Sequence, residues 1–266
     1  MNRIFTISNQ KGGVGKTTLT LNLGISLAQM GYKVLLIDLD AQSNMTMALG
    51  YQQPDELPVT MFHIMTEMIK TGLKPEHSEL IQNRDYILHS QGVAFIPSSI
   101  ELIDIESALM TTMSRENVLK KFLNYIKSDY QIILIDTMPS LGFVTINALN
   151  AAGSILIPMQ PQFFSAKGLE MLLSTIARVK ENFNPNLDIA GVLVTMYDNR
   201  VKFHREVIDT LSESYGQYFR IFNTKIPMSV RVTETQARSR SIFEYDPNGK
   251  VAESYKLFAK ELVQNE

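Results

Sequence analysis

The stretch from Arg3 to Met30, RIFTISNQKGGVGKTTLTLNLGISLAQM, leaves this chain few ways to fold. Ile4, Phe5 and Ile7 read as a short buried strand, and the segment opening at Thr17 reads as a helix. Between them Gly12, Gly13 and Gly15 free the backbone to curl, so that successive N–H groups point inward and form an anion nest. The positive end of the helix dipole faces the same point. Strand, glycine turn and helix in this order predict a phosphate-binding loop. A plain glycine turn with two solvated lysines is the alternative, and the flanking strand and helix argue against it.

Two further segments end in carboxylates where a doubly wound sheet would present them. Lys33 to Asp38, KVLLID, is the near-continuous apolar run of a buried parallel strand, and it leads into Asp38-Leu39-Asp40-Ala41-Gln42-Ser43-Asn44. Gln131 to Ser140, QIILIDTMPS, has four apolar residues before Asp136, the form of a Walker B strand whose carboxylate holds Mg²⁺ through water. Asp38 as a helix cap and Asp40 as a solvated loop residue is the structural alternative. His63, His77, His89 and His204 have no partner at ligand spacing and read as surface or core residues.

Composition narrows the function classes. The chain has 266 residues and no cysteine, which removes disulfides, zinc–thiolate sites and iron–sulfur clusters together. No apolar run of membrane-spanning length occurs, and the first strand begins within a few residues of the start, so neither a membrane span nor a signal peptide is expected. The expected compartment is the cytoplasm. A net charge of −2 argues against a dedicated nucleic-acid protein, yet residues 200–250 hold nine Lys/Arg against six Asp/Glu. A cationic face on a mildly acidic body is therefore expected.

Along the chain, apolar strands alternate with amphipathic helices. Helices are expected over Thr60–Lys70, Ile100–Met113, Glu116–Lys127 and Ser165–Asn182. Strands are expected over Gly92–Ser98, Ser154–Pro158 and Leu187–Tyr197, with the last inside Tyr218–Ile226. The pattern predicts one α/β domain over 1–266, built on a doubly wound, mainly parallel twisted sheet flanked by helices. The phosphate loop, Asp40 and Asp136 then all lie at strand C-terminal ends, where such folds bind ligands. A final helix from Val251 to Val263 carries Val251, Tyr255, Phe258, Ala259 and Leu262 on one face with balanced charge opposite, which predicts packing against the sheet rather than on a membrane.

The plain Walker A expression needs glycine at position 10, where Gln10 stands. Lys11 to Thr18, KGGVGKTT, resembles instead the deviant Walker A motif of the partition and cell-division ATPases. Asp38 to Asn44 resembles that group's DxDxQ(G/S)N motif, and Ile226 to Tyr255, IPMSVRVTETQARSRSIFEYDPNGKVAESY, is similar to the tail of the ParA/Soj partition ATPases. Motif order and spacing over the whole chain resemble that family in its short form, without a helix-turn-helix extension.

The resemblance implies a nucleotide site made of Lys11, Gly12, Gly13, Val14, Gly15, Lys16, Thr17 and Thr18. It implies that Lys16 holds the β- and γ-phosphates of ATP, that Thr17 ligates Mg²⁺, and that Asp136 and Asp40 take part in the metal's surroundings. Asp40 would orient the attacking water while Asp38 fixes its loop. Lys11 would reach across an ATP-sandwich homodimer to the partner's phosphates, so that Lys11, Lys16 and Asp40 form the catalytic group. The implied partners are non-specific duplex DNA and a ParB-type centromere-binding protein, with the protein on the nucleoid. Arg231 is the leading DNA-contact candidate, with Arg200, Lys202, Arg220, Arg238 and Arg240 behind it.

Two departures stand out. Met138-Pro139 replaces the Pro-Pro of most family members, and Met228 stands where many carry arginine. A MinD-like regulator cycling at a membrane or on protein cargo shares the same ATPase core and is the competing expectation.

Overall fold

Apolar runs such as KVLLID and QIILID can be covered on both faces only inside a sandwich of helices, and the sheet they form sets every other element. The computed structural model describes residues 3–162 and 165–264, with the backbone alone at 165–167, 236 and 237. Among the described residues there are eight strands: β1 (Arg3–Ile7), β2 (Val34–Leu39), β3 (Leu88–Ser90), β4 (Val93–Ile96), β5 (Ile132–Thr137), β6 (Ser154–Met159), β7 (Asp188–Tyr197) and β8 (Ile221–Pro227). They form one sheet in the order β3-β4-β2-β5-β1-β6-β7-β8. Every pairing is parallel except β3 with β4.

The helices are α1 (Lys16–Gln29), α2 (Asn44–Ala48), α3 (Met61–Lys70), α4 (Glu79–Asn83), α5 (Ile105–Met110), α6 (Val118–Ile126), α7 (Phe143–Ala151), α8 (Ser165–Asn182), α9 (Lys202–Tyr215), α10 (Val230–Ala237), α11 (Ile242–Tyr245) and α12 (Lys250–Gln264). One core lies between the sheet and α1 with α12, and a second between the sheet and α3, α5 and α6. A third, smaller one joins β6 and β7 to α8 and α9. The apolar face of α12 is buried through Val251, Tyr255, Phe258, Ala259 and Leu262, as its helical spacing predicts. Among the described residues no helix is long and apolar enough to cross a membrane.

The structure departs from the sequence reading where periodicity carries little information. β3 is a half-exposed edge of three residues with no apolar run. The single helix expected over Ile100–Met113 is a 3₁₀ turn, Ile100–Ile103, followed by α5, which stops at Met110. A left-handed Ser114 separates it from the next 3₁₀ turn, Arg115–Asn117, and α6. α7 buries nearly all of its surface and so has no polar stripe, whereas α9 buries only Leu211 and has no apolar one. Both escape a search for amphipathic period.

Candidate functional site

The glycine turn is held from the far side of the sheet. Gly13 and Gly15 have φ of 72° and 90°, a left-handed backbone in which a Cβ would be strained. Asn9 Nδ2 donates to Pro158 O at 2.8 Å, Gln160 Nε2 to Gly13 O at 2.9 Å, and Thr195 Oγ1 to Val14 O at 2.8 Å. The ends of β6 and β7 thus fix a loop that belongs to β1. Gly12 and Gly13 are exposed, Val14 is buried beneath them, and Thr17 and Thr18 open α1 half-buried.

Lys16 is buried, and its Nζ lies 3.4 Å from Lys11 O. Burial lowers its pKa from the ordinary lysine value, against the opposing pull of Asp136 and Asp40. A lysine held this way, its charge only partly offset, favours an incoming polyanion. The Lys11 backbone N–H donates to Asn9 Oδ1 at 3.0 Å, and its ammonium donates to Gln162 Oε1.

The carboxylates come from the other side of β1. Asp38 and Asp136 are cross-strand neighbours on β2 and β5, both fully buried. Asp38 accepts from Asp40 N at 3.2 Å, Thr46 N at 2.9 Å and Thr46 Oγ1 at 2.7 Å. Burial nonetheless pushes its pKa up to about 6. It therefore shapes the loop that carries Asp40, whose Oδ1 accepts from Gln42 N at 2.9 Å.

Asp136 is the least satisfied of the three. Thr20 Oγ1 donates to its Oδ1 at 3.4 Å, while Oδ2 is buried with no hydrogen bond of acceptable geometry among the described residues. Burial first, then the Asp38 charge, raise its pKa well above the usual carboxylate range; the nearby Thr17 hydroxyl opposes the rise. Such an orphaned oxygen fits a divalent cation or its water. Among the described residues no three His, Asp or Glu side chains form a metal cage. Mg²⁺ held mostly by phosphate oxygens, water and a hydroxyl needs none.

Two pockets flank the loop. One of about 120 Å³ runs from Gly15 and Thr18 past Thr195 and Met196 to Pro227 and Val232, and would take a flat ring attached to a bound phosphate. Met196 there has a φ of 52°, rare for a side chain of its size. The other, about 130 Å³, lies between Thr17, Asn22, Gln52 and Arg240. Sequence reasoning missed the anchors Asn9, Gln160 and Thr195; a polar residue at a strand's C-terminal end was the available signal.

The cationic candidates lie at both ends of the sheet. Arg231 Nη1 pairs with Asp246 Oδ1 at 2.6 Å beside an open cleft of about 470 Å³. Arg200 Nη2 pairs with Asp198 Oδ2 at 2.7 Å, Lys202 Nζ lies 3.8 Å from Glu206 Oε1, and Arg238 sits 5.2 Å over the Tyr245 ring. These follow β7 or β8, at the end of the sheet that carries the loop. Arg220 precedes β8, so it stands at the opposite end, 4.0 Å over the Phe222 ring with its Nε buried and without a partner among the described residues.

A family model described as an AAA domain matches residues 2–189. Sporulation initiation inhibitor protein Soj of Bacillus subtilis is 39% identical over 267 residues, covering 100% of both chains. Chromosome-partitioning ATPase Soj of Treponema pallidum is 38% identical, covering 99% of this chain and 98% of its own. Chromosome partitioning protein ParA of Caulobacter vibrioides is 34% identical over 99% of this chain and 95% of its own. Cobyrinic acid a,c-diamide synthase from Mycobacterium smegmatis, solved with bound ADP and magnesium, superposes with a TM-score of 0.82 at 30% identity, covering 99% of this chain and 94% of that one. In fold alone, a plasmid partition protein from Borrelia burgdorferi bound to AMPPNP matches with a TM-score of 0.77 at 22% identity over 100% of both. By its sequence along the whole length, and by a sheet that carries loop and carboxylates at one end, the chain belongs to the ParA/Soj family of chromosome-partitioning ATPases.

Proposed function

We propose that this chain is a Mg²⁺-dependent ATPase domain that partitions DNA, acting as an ATP-sandwich homodimer. The observation that carries the chemistry is the buried Asp136, whose Oδ2 has no hydrogen bond of acceptable geometry among the described residues, in the same site as Lys16 and the glycine loop. The loop amides from Gly12 to Thr18 and the Lys16 ammonium bind the phosphates of ATP, and the pocket by Met196 and Pro227 takes the base. Thr17 and Asp136 would hold Mg²⁺, which would neutralise charge on the phosphates.

Asp40 orients the attacking water. Lys16, together with Lys11 of the second subunit, stabilises the charge that develops on the γ-phosphoryl group. In the single chain Lys11 is engaged with Gln162, a contact that dimerisation would exchange for phosphate. The ATP dimer holds duplex DNA without sequence preference through Arg231 and the basic residues near it. A ParB-type centromere-binding protein stimulates hydrolysis and releases the dimer from the nucleoid, in the cytoplasm. Support comes from full-length similarity to Soj and ParA proteins. The buried apolar face of α12 gives no support to a membrane-cycling role.

The test is retention of non-specific duplex DNA with ATP, ADP or no nucleotide across a salt series, with Asp40→Ala to hold the ATP state, alongside phosphate release. Binding that requires ATP, weakens steeply with salt and persists in Asp40→Ala is expected. ATP-driven dimerisation with no DNA binding in any state would overturn the partition reading.

A further inference from the structure

The segment from Ile100 to Met113 has an unusual composition. Ile100 and Ile103 lie on a 3₁₀ turn, where residues three apart eclipse one another, and two more apolar side chains follow, Met110 at the end of α5 and Met113 in the turn after it. These four side chains are 45%, 54%, 64% and 89% exposed. Leu102, Ile105 and Leu109 anchor the segment in the core, so these side chains sit on a fixed base. Glu101 and Asp104 are exposed beside it, and no lysine or arginine occurs from 99 to 114. Asp55, also exposed, accepts from Ile100 N at 2.8 Å and extends the acidic edge.

The inner side of this segment grips the start of α7. Glu106 Oε2 accepts from Phe143 N at 2.9 Å and its Oε1 from Val144 N at 3.0 Å. The approach is so close that a Cβ on Gly142 would come within 2.4 Å of Oε1. The Arg115 guanidinium lies 4.3 Å over the Phe143 ring, and Arg115 Nη1 donates to Met110 O at 3.0 Å. Only residues 138–142 separate this clamp from the end of β5, which carries Asp136.

We propose that the acidic and apolar face of residues 100–113 docks a basic amphipathic segment of a protein partner, and that Glu106 passes the contact to the turn after Asp136. The proposal rests on the ATPase reading above and names the surface through which hydrolysis is regulated. Methionine-lined faces adapt to apolar side chains of varied shape, and the carboxylates select lysine and arginine at the rim. A second copy of this chain related by a two-fold axis would set acid against acid. Anionic lipid headgroups would be repelled.

The test uses the full chain with Mg-ATP and DNA, and overlapping synthetic peptides from the ParB-type protein that stimulates it. Peptide affinity is read by fluorescence anisotropy, hydrolysis by phosphate release, and folding by thermal melting. Met113→Asp and Asp104→Lys are expected to weaken the tightest-binding basic peptide roughly tenfold or more, as truncations at a docking centre do, with basal hydrolysis unchanged. That peptide with its basic residues changed to glutamate should regain affinity for Asp104→Lys.

Glu106→Gln, which keeps one acceptor oxygen, should bind the peptide as wild type does yet lose most of the stimulation. Unchanged affinity in Met113→Asp and Asp104→Lys overturns the docking face, and full stimulation of Glu106→Gln overturns the relay. Loss of ATP-dependent dimerisation in Met113→Asp would give the face to a second copy, and loss of pelleting with anionic vesicles would give it to a membrane; either overturns the proposal. Absence of basal hydrolysis in the wild type strikes instead at the ATPase reading.

Discussion

A carboxylate that is fully buried with few hydrogen bonds destabilises a fold, and among the described residues Asp136 is in that position. Its native pKa lies above the unfolded one, chiefly through burial. The native state therefore binds more protons between the two values, and stability falls as pH rises through that interval. Asp136→Asn removes this penalty. In metal-free protein at neutral pH it is expected to raise Tm. The advantage should shrink as pH falls toward the ordinary carboxylate range, while ATP hydrolysis is lost. Calorimetry at several pH values and phosphate release check both parts. Asp136 was legible in the sequence because an apolar run ending in Asp fits a buried strand and little else. Glu106 was not: the backbone amides it accepts from lie 37 and 38 residues away, and no local period marks it.

Elements here are tied by polar contacts as well as by apolar faces. On α12, Glu261 accepts from Asn223 N at 2.7 Å and Thr224 N at 2.9 Å on the edge strand β8. Burial alone would raise its pKa, but the bonds from Thr224 and Asn223 outweigh it and leave the value lowered. A depressed acid contributes stability that is present above its unfolded pKa and lost as pH falls through the folded one. Glu261→Gln is expected to cost about 1–2 kcal/mol, the worth of hydrogen bonds to a charged acceptor, and to flatten the acid side of the stability curve. Urea unfolding at neutral and acidic pH measures this. The stripe on α12 was readable because it meets the core on one side only. α9 was unreadable for the opposite reason: with Leu211 as its single buried residue, burial leaves no periodic imprint on its sequence.

At the scale of the whole molecule, the direction of the strands sorts the basic residues into two ends. Arg231→Ala is expected to weaken ATP-dependent DNA binding and to reduce the log–log salt slope by about 0.9, the share of one phosphate contact. Arg220→Ala, at the far end of β8, is expected to leave that slope unchanged and to lower Tm through the lost Phe222 stacking. Filter binding across a salt series separates them. Parallel order and strand-end chemistry were legible in the alternation of apolar runs, but which cations share an end follows from sheet order, which no local pattern encodes.

That same order makes β1 a seam. Asp38 and Asp136 hang from β2 and β5 on one side of it; the anchors at Pro158, Gln160 and Thr195 belong to β6 and β7 on the other. A nucleotide gripped by both halves acts as a staple across the seam, so occupancy is a mechanical property of the sheet as much as a chemical state of the loop. That staple would add to the backbone pairing that already joins β1 to β5 and β6, so its loss would loosen the seam without opening it.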